Sequence, residues 1–189
     1  MKTKTRCGWV NEDPLYIKYH DEEWGVPVHD DQKMFEFLVL ETFQAGLSWY
    51  TILKKRENFR KAFDYFNYKK VAKYGEPKVE ELLQDAGIIR NQQKIRAAIN
   101  NAQQFMEVQK EFGSFCKYIW GFVDDKPIVN RWKSLKEVPA TTPISDALSK
   151  DLKKRGFKFV GSTTIYAHMQ ASGIVNDHVE GCFRYPKNV

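Results

Sequence analysis

The sequence lacks several features that mark common classes of protein. Its 189 residues contain no run of about 18 apolar residues, so we expect neither a membrane-spanning segment nor a membrane partner. The first ten residues, MKTKTRCGWV, carry charge but no apolar stretch, so we expect no signal peptide. Internal repeats, low-complexity tracts, glycine-rich nucleotide loops and a Ser-His-Asp order are absent as well. What remains is a folded chain whose length suits one domain, or one domain with a small annex.

Cysteine is scarce, with only Cys7, Cys116 and Cys182. An odd, sparse set without a secretion signal indicates reduced thiols and a cytoplasmic protein. Cys116, within GSFCKYIW, is typical of a core thiol. The charge is moderately basic, with a formal net value of +6. That excess favours anionic partners, nucleic acid first, although an ordinary basic enzyme has the same composition.

Helix signals are frequent and strand signals are weak in the first half of the chain, which favours an all-α fold. Asp13 followed by proline predicts a capped helix from about Pro14 to Glu23 that ends near Gly25. Asp30 or Asp31 is expected to cap the next helix, which carries MFEFLVLETFQAG. The segment AGLSWYTILKKRENFRKAF predicts a further helix with a basic outer face.

The second half of the chain raises the expected number of helices to seven or eight. The segment VEELLQDAGIIRNQQKIRAAINNAQQFMEVQKEF predicts a helix, a turn centred on Gly87 and a long helix. SDALSKDLKKR predicts a helix capped by Ser145 and followed by Gly156, and GSTTIYAHMQAS predicts the last substantial helix. FVDDKPIVNRWKSLKEVPATTP is the longest irregular stretch, and we expect either a surface loop or a short hairpin there.

Two Cys/His pairs lie at opposite ends of the chain. Cys7 and His20 are close to the N-terminus, and His178 and Cys182 lie one helical turn apart near the C-terminus. A Cys₂His₂ set suits tetrahedral zinc, and four protein ligands would make that zinc structural and not catalytic. Such a site would join the two termini and close a very long loop. The alternative is that the four residues are unrelated.

A single acid interrupts an apolar helical face. Met34, Leu38, Glu41 and Ala45 recur at helical spacing, so Glu41 is set into an apolar stripe. A buried carboxylate is unfavourable unless it is paired or hydrogen-bonded. Either Glu41 ties backbone groups together, or it lies in a pocket for a polar or cationic ligand. Trp49, about two turns further on, is expected on the same side of the helix.

Aromatic residues crowd the N-terminal segment, where Trp9, Tyr16, Tyr19 and Trp24 occur within a short stretch. Several aromatic rings around one acid suit a planar cationic ligand, which they bind by stacking and by charge. Taken singly, each of these aromatic residues is also typical of a hydrophobic core. The sequence pattern alone does not decide between these two interpretations.

The turn at Gly87 is a candidate phosphate site, because the N-terminus of the following helix offers free N–H groups beside Arg90 and Lys94. An ordinary αα-hairpin with a glycine cap explains the same pattern. A second basic helix end, KDLKKRGFKFVGS, either extends the same phosphate track or forms a solvated charged face.

Four stretches resemble one family along nearly the whole chain, from Arg6 to Tyr185. They are RCGWVNEDPLYIKYHDEEWGVP, LETFQAGLSWYTILKKRENFRKAF, LLQDAGIIRNQQKI and SDALSKDLKKRGFKFVGSTTIYAHMQASGIVNDHVEGC. The family is that of the bacterial 3-methyladenine DNA glycosylases of type I, base-excision repair enzymes of the helix-hairpin-helix superfamily. The resemblance implies a single all-α helix-hairpin-helix glycosylase domain over 1–189. It also implies a small zinc-binding annex that joins the two termini, formed by about 5–25 and 174–185.

The resemblance also implies roles for individual residues. One structural Zn²⁺ ion would be held by Cys7, His20, His178 and Cys182. Glu41 would be the catalytic acid that binds the base, and the other base-binding residues would be Tyr19, Trp49, Trp9 and Tyr16. The hairpin, with Gly87, Arg90 and Lys94, would bind DNA. Ile89 stands where the usual hairpin has its second glycine, and we find no candidate for the catalytic Asp of the wider superfamily.

The activity implied is hydrolytic release of 3-methyladenine from alkylated double-stranded DNA after base flipping. We expect a monofunctional enzyme, because no lysine stands out as an amine nucleophile. The resemblance further implies a monomer in the bacterial cytoplasm, associated with the nucleoid through DNA. Two alternatives remain: a zinc-stapled DNA-binding module without activity, and a thiol-dependent hydrolase that uses Cys7 or Cys182.

Overall fold

The computed structural model describes residues 4–186 and confirms the all-α class. A two-stranded sheet accompanies the helices, and within the described residues no helix has the length and hydropathy needed to cross a membrane. The helices are α1 (Pro14–Glu22), α2 (Asp31–Gln44), α3 (Trp49–Ala62), α4 (Tyr68–Val71), α5 (Glu76–Gln84), α6 (Gln92–Phe112), α7 (Phe115–Trp120), α8 (Pro143–Lys154) and α9 (Ser162–Ala171). The strands are β1 (Ile128–Val129) and β2 (Val175–Asn176), and short 3-10 turns cover Asp64–Phe66, Gly121–Val123 and Leu135–Glu137.

Side-chain caps explain where the first helices begin. Asp13 accepts a hydrogen bond from the Leu15 amide at the start of α1, as predicted. Asp30, one of the two candidates, caps α2 by accepting from the Lys33 amide. Ser48 caps α3 in the same way by accepting from the Thr51 amide, and the separate helix predicted after α2 is confirmed.

The predicted cap of α8 was wrong. Thr142 is the cap, and Ser145 lies three residues further on, where its hydroxyl accepts from the Thr142 amide in a capping box. Pro143 at the first helical position fixes this start. Gly156 follows α8 with a φ of 91°, a left-handed conformation that glycine adopts without strain, so its predicted position after the helix is confirmed.

Helix α2 is the central helix of the fold. Every residue from Met34 to Phe43 is buried, because α3, α6, α7 and α9 all pack against it. Aromatic rings dominate this core: the ring of Phe35 packs edge-on against Phe105, and that of Phe43 against Phe59. A carboxylate on such a helix has little access to water wherever it points. That is the position of Glu41.

The two ends of the described chain meet in a second, smaller apolar cluster. Its buried members are Cys7, Tyr16, Tyr19, Trp24, Phe37, Leu53, Ala171, Val179 and Cys182. Backbone hydrogen bonds connect the same parts, since the Phe183 amide donates to the Thr5 carbonyl and the Gly25 amide donates to the Gln170 carbonyl. Gly173 closes the turn after α9 at a φ of 69°, and a Cβ there would come within 2.1 Å of the Val26 carbonyl carbon.

The irregular segment after α7 is not a hairpin. Its residues Ile128 and Val129 form β1, which pairs in parallel with Val175 and Asn176 of β2. The pairing partner is therefore the C-terminal segment, far away in sequence, and no local pattern within the segment announces it. The pairing brings this segment against the second cluster, where Trp132 and Val138 pack.

Candidate functional site

A cavity of about 350 Å³ opens where α1, α2, α3 and α9 meet the irregular segment, a size in the range of small-ligand sites. Its walls combine aromatic rings with a few polar groups. The lining residues are Trp9, Tyr16, Tyr19, Trp24, Glu41, Gln44, Trp49, Leu135, Val138, Ala167, Gln170 and Asp177. All five residues predicted to bind a base are therefore among them.

Glu41 is the one acid of this cavity without a full set of partners. Its side chain is 4% exposed, and its Oε2 atom has no hydrogen-bond partner among residues 4–186. Removal from water raises the pKa of Glu41 from its ordinary 4.5 to about 8. The carboxyl group is therefore mainly neutral at pH 7 in the free protein. The first of the two interpretations, an acid that ties backbone groups together, leaves this oxygen unexplained.

Aromatic rings form most of the cavity wall. The ring centroid of Trp9 lies 5.0 Å from that of Tyr16 and 5.0 Å from that of Trp24. The rings of Tyr19 and Trp49 are 5.2 Å apart. The indole N–H of Trp49 is buried and donates to no described residue, so a donor and an acceptor without partners share this cavity.

Trp49 reaches the cavity by another route than predicted. It does not continue α2 beyond Glu41, because α2 ends at Gln44 and Trp49 is the first residue of α3. The intervening loop includes Gly46 at a φ of 81°. Glu41 and Trp49 therefore come together because α2 and α3 pack against each other, and not because the two residues share a face of one helix.

Six lining residues were not predicted: Gln44, Leu135, Val138, Ala167, Gln170 and Asp177. Asp177 is fully buried and accepts four hydrogen bonds, including one from the Gln170 amide. Leu135 and Val138 come from the irregular segment, which reaches the cavity through the β1–β2 pairing. The sequence offered one signal for Asp177, namely its position directly before the predicted metal ligand His178.

A second, smaller cavity of about 170 Å³ adjoins the first and shares Glu41, Gln44 and Ala167 with it. The other lining residues are Ala45, Gly46 and Leu47 from the loop after α2, and Thr163 and Thr164 from the first turn of α9. Gly161 is the cap residue of α9, and no side chain among residues 4–186 caps this N-terminus. Glu41 thus lies between the aromatic cavity and a smaller one beside a helix N-terminus.

The two Cys/His pairs come together as a candidate metal centre. The ligand atoms of Cys7, His20, His178 and Cys182 all lie within 4.8 Å of one another, and the four residues are buried. Cys182 Sγ is 3.4 Å from His20 Nε2 and 3.6 Å from His178 Nδ1. A tetrahedral ion with ordinary zinc bond lengths places sulfur and nitrogen about 3.5 Å apart. The four donors therefore fit one metal ion.

The surroundings of the two histidines fit the same assignment. His20 uses its other ring nitrogen, Nδ1, in a 2.8 Å hydrogen bond with Asp21, and His178 Nε2 lies 3.1 Å from the Trp24 carbonyl oxygen. Such outer partners fix the ring orientation and tautomer of metal-binding histidines. Desolvation lowers the pKa of His178 to about 4, which keeps its ring neutral and able to coordinate. Desolvation also raises the pKa of the Cys7 thiol, which disfavours a free thiolate nucleophile.

The predicted DNA-binding hairpin between α5 and α6 is only partly available for phosphate contacts. Arg90 is exposed, but the Gly87 amide donates to the Asp85 side chain. The position of Lys94 differs from the one predicted. Its ammonium is buried and donates to the carbonyl oxygens of Phe43, at 3.0 Å, and Ala45, at 2.6 Å. Lys94 therefore satisfies carbonyl groups at the end of α2 and does not face solvent.

The corner between α8 and α9 is the second basic helix end. Lys150 and Lys153 line a shallow depression with Ser162, the first residue of α9. The next residues of α9, Thr163 and Thr164, line the smaller cavity beside Glu41. Positive charge and an uncapped helix N-terminus therefore lie next to the candidate site.

Comparison with known proteins identifies the class. A family model described as methyladenine glycosylase matches residues 9–185. This chain belongs to the methyladenine glycosylase family, which confirms the resemblance found in the sequence.

Particular relatives are similar over almost their whole length. DNA-3-methyladenine glycosylase 1 of Escherichia coli is 56% identical over 183 residues, which cover 97% of this chain and 98% of that protein. The solved 3-methyladenine DNA glycosylase I of Staphylococcus aureus is 35% identical, with a TM-score of 0.93 over 97% of this chain and 98% of that chain. Another solved variant of a 3-methyladenine DNA glycosylase I, in complex with 3-methyladenine, is also 35% identical, with a TM-score of 0.93 over 97% and 99% of the two chains.

Proposed function

We propose that this protein removes 3-methyladenine from alkylated double-stranded DNA by hydrolysing the N-glycosidic bond. The observation that carries the proposal is the buried Glu41 carboxyl group, with one oxygen lacking a partner, in a cavity walled by aromatic rings. The name of the Escherichia coli relative supports the choice of base. Because a base inside a duplex cannot reach such a cavity, the damaged nucleotide is flipped out of the stack first.

Glu41 binds and stabilises the damaged base. Methylation at N3 gives the nucleobase a positive charge and makes it a good leaving group, so less acid catalysis is needed than for a neutral base. A cation entering the cavity lowers the pKa of Glu41 from about 8, so that the neutral acid of the free protein becomes a carboxylate in the complex. The carboxylate accepts hydrogen bonds from the adenine edge and stabilises positive charge while water attacks the sugar carbon.

The aromatic residues hold the ring of the base. Trp49, Tyr19, Trp9 and Tyr16 line one cavity, where stacking and cation–π attraction favour a planar cation over a neutral base. The unpartnered Trp49 N–H is available to an acceptor on the ligand. A non-catalytic DNA-binding module has no use for such a cavity.

The DNA backbone is held at two helix ends. Arg90, beside the turn at Gly87, contacts one phosphate, and Lys150 and Lys153 at the α8–α9 corner contact others. The uncapped N-terminus of α9 supports this track, which replaces the role first given to Lys94. These contacts fix the register of the protein on DNA without determining sequence preference.

One structural Zn²⁺ ion joins the two ends of the chain. Cys7, His20, His178 and Cys182 would hold it, and bound zinc supplies folding stability and no reaction step. The annex of about 5–25 and 174–185 carries Trp9 and Tyr19, so the ion also fixes one wall of the cavity. We place the protein in the bacterial cytoplasm as a monomer, associated with the nucleoid through DNA.

The test is release of free bases from methylated DNA. Wild type is expected to release 3-methyladenine without cutting the strand, and Glu41→Gln is expected to lose most of that release. Glu57→Gln, at an exposed position on α3, is the control and keeps wild-type activity.

Three outcomes separate the alternatives. DNA binding without any base release by wild type supports the non-catalytic module. Loss of activity on thiol alkylation of the metal-loaded protein, with Glu41→Gln fully active, supports the thiol-dependent hydrolase. If Glu41→Gln is fully active and thiol alkylation has no effect, only the role proposed for Glu41 is rejected, and the glycosylase function stands.

A further inference from the structure

Asp177 is the most completely hydrogen-bonded acid of the aromatic cavity. Its Oδ1 accepts from Asn130 Nδ2 and Trp132 Nε1, both at 2.7 Å. Its Oδ2 accepts from the Tyr166 hydroxyl at 2.6 Å and from Gln170 Nε2 at 2.8 Å. The side chain is fully buried, so these four donors are its surroundings. Indole and amide N–H groups only donate, so the Asp177 oxygens are the acceptors in these contacts.

This arrangement fixes which way the Gln170 amide points. An amide side chain offers an NH₂ group and a carbonyl oxygen, and a carboxylate can only accept. With the NH₂ group of Gln170 held by Asp177, the carbonyl oxygen Oε1 is left for the cavity that Gln170 lines. Rotating the amide by 180° would place Gln170 Oε1 against Asp177 Oδ2, and both of these oxygens are acceptors. Gln170 therefore presents a fixed hydrogen-bond acceptor.

We propose that Gln170 is a specificity-determining residue of the base cavity, and that its carbonyl oxygen, oriented by Asp177, accepts a hydrogen bond from the exocyclic amino group of the adenine ring. This inference rests on the proposed glycosylase function and adds a second acceptor to Glu41. The amino group carries two N–H donors, so both acceptors are used. A guanine ring has a carbonyl oxygen at the same position and meets two acceptors there. A site built around a hydrogen bond strongly disfavours an analogue that cannot form it.

Asp177 is a positioning residue in this scheme, because it acts through Gln170. Its other donors come from two separate elements: Tyr166 lies on α9, while Asn130 and Trp132 follow β1. The irregular segment thus contributes to base selection without touching the base edge. Such a role differs from a merely structural one, because it changes the ratio between two substrates and not only the amount of active protein.

The test compares the two methylated purines in one reaction. DNA treated with a methylating agent contains both 3-methyladenine and 3-methylguanine, and the ratio of the released bases is measured for each variant. Gln170→Leu keeps the volume but removes the acceptor, so release of 3-methyladenine falls about tenfold to a hundredfold while that of 3-methylguanine does not fall. Asp177→Asn frees the Gln170 amide to rotate and shifts the ratio in the same direction by a smaller factor.

Gln103 provides the matched control. It is exposed on α6 and does not line the cavity, and Gln103→Leu keeps the wild-type ratio within about twofold. Metal content and the unfolding midpoint are measured for every variant, and Gln170→Met replaces Gln170→Leu if the latter does not fold. An unchanged ratio in the folded Gln170 variant, or an equal shift in Gln103→Leu, overturns the inference. If wild type releases neither base, the proposed function fails instead.

Discussion

Because Glu41 is buried, we expect the free protein to become more stable when this acid is replaced by a neutral side chain. Glu41→Gln keeps the size and polarity of the side chain and removes its ionisation. Burial raises the pKa of Glu41 from 4.5 to about 8, so the folded state binds a proton that the unfolded chain releases at neutral pH. At about 1.4 kcal/mol per tenfold change in equilibrium, this difference destabilises the fold by about 3 kcal/mol at pH 7 and about 5 kcal/mol above pH 8.

The pH dependence gives the prediction its sign. Because the folded pKa lies above the unfolded one, wild type and Glu41→Gln are equally stable below about pH 4, where both states of wild type are protonated. The advantage of Glu41→Gln then grows as the pH rises from 4.5 towards 8 and is constant above that. Thermal unfolding at pH 4, 7 and 8.5 measures it, and at pH 7 the variant melts roughly 10 °C higher.

A second glutamate on α2 serves as the control with the opposite sign. Glu36 is also buried, but its Oε1 accepts from Arg56 Nε at 2.6 Å and from Arg60 Nε at 3.0 Å. Glu36→Gln weakens a buried ion pair and destabilises the protein by about 1–3 kcal/mol. If Glu41→Gln is no more stable than wild type at pH 7, or if the difference in their free energies of unfolding is independent of pH, Glu41 is not a desolvated acid.

Three further predictions follow from the structure. Metal analysis is expected to find about one zinc ion per wild-type chain. His178→Ala loses this metal and melts at a lower temperature, whereas His29→Ala keeps the wild-type metal content and melting temperature. Unchanged metal content in His178→Ala contradicts the assignment. Lys94→Met lowers the free energy of unfolding by about 1–3 kcal/mol and leaves the salt dependence of DNA binding unchanged. Arg90→Ala reduces by about 1 the slope of the logarithm of the DNA-binding constant against the logarithm of the salt concentration. The opposite result for the two variants would show that Lys94 contacts phosphate. Gly173→Ala costs about 3 kcal/mol or more in urea unfolding because its Cβ would overlap the Val26 backbone, whereas Gly161→Ala, with open space around it, costs little; equal costs would contradict the close packing.

Local patterns predicted the helices well, because caps and hydrophobic periods act over a few residues. Asp13, Asp30 and Gly156 are examples in which the side chain or the glycine itself sets the helix end. Ser145 was misplaced by three residues because Thr142 and Ser145 form a reciprocal capping box, and the sequence does not say which of the two is outside the helix. The β1–β2 pairing was missed for another reason, since its partners are far apart in the chain.

The sequence predicted those residues of the site whose type is unusual in its local context. It predicted less well those whose role depends on how the side chain is oriented in the folded protein. The Cys/His set and the lone acid on an apolar helix are visible as unusual residues in their context. Lys94 has the composition of a phosphate ligand, but its ammonium turns inward to the Phe43 and Ala45 carbonyl oxygens. Gln170 carries no local signal at all, because its role depends on a carboxylate from the segment after α9.

The instability at Glu41 and the proposed binding of a cationic base have one physical origin. The acid lost its water when the protein folded, and α2 supplies no partner for Oε2. A ligand that brings positive charge and N–H donors therefore meets a carboxyl group that is already desolvated, so binding does not have to remove water from it again. A neutral base lacks the charge that restores ionisation of Glu41 at neutral pH. The same burial that destabilises the free fold thus favours the alkylated base over the normal one.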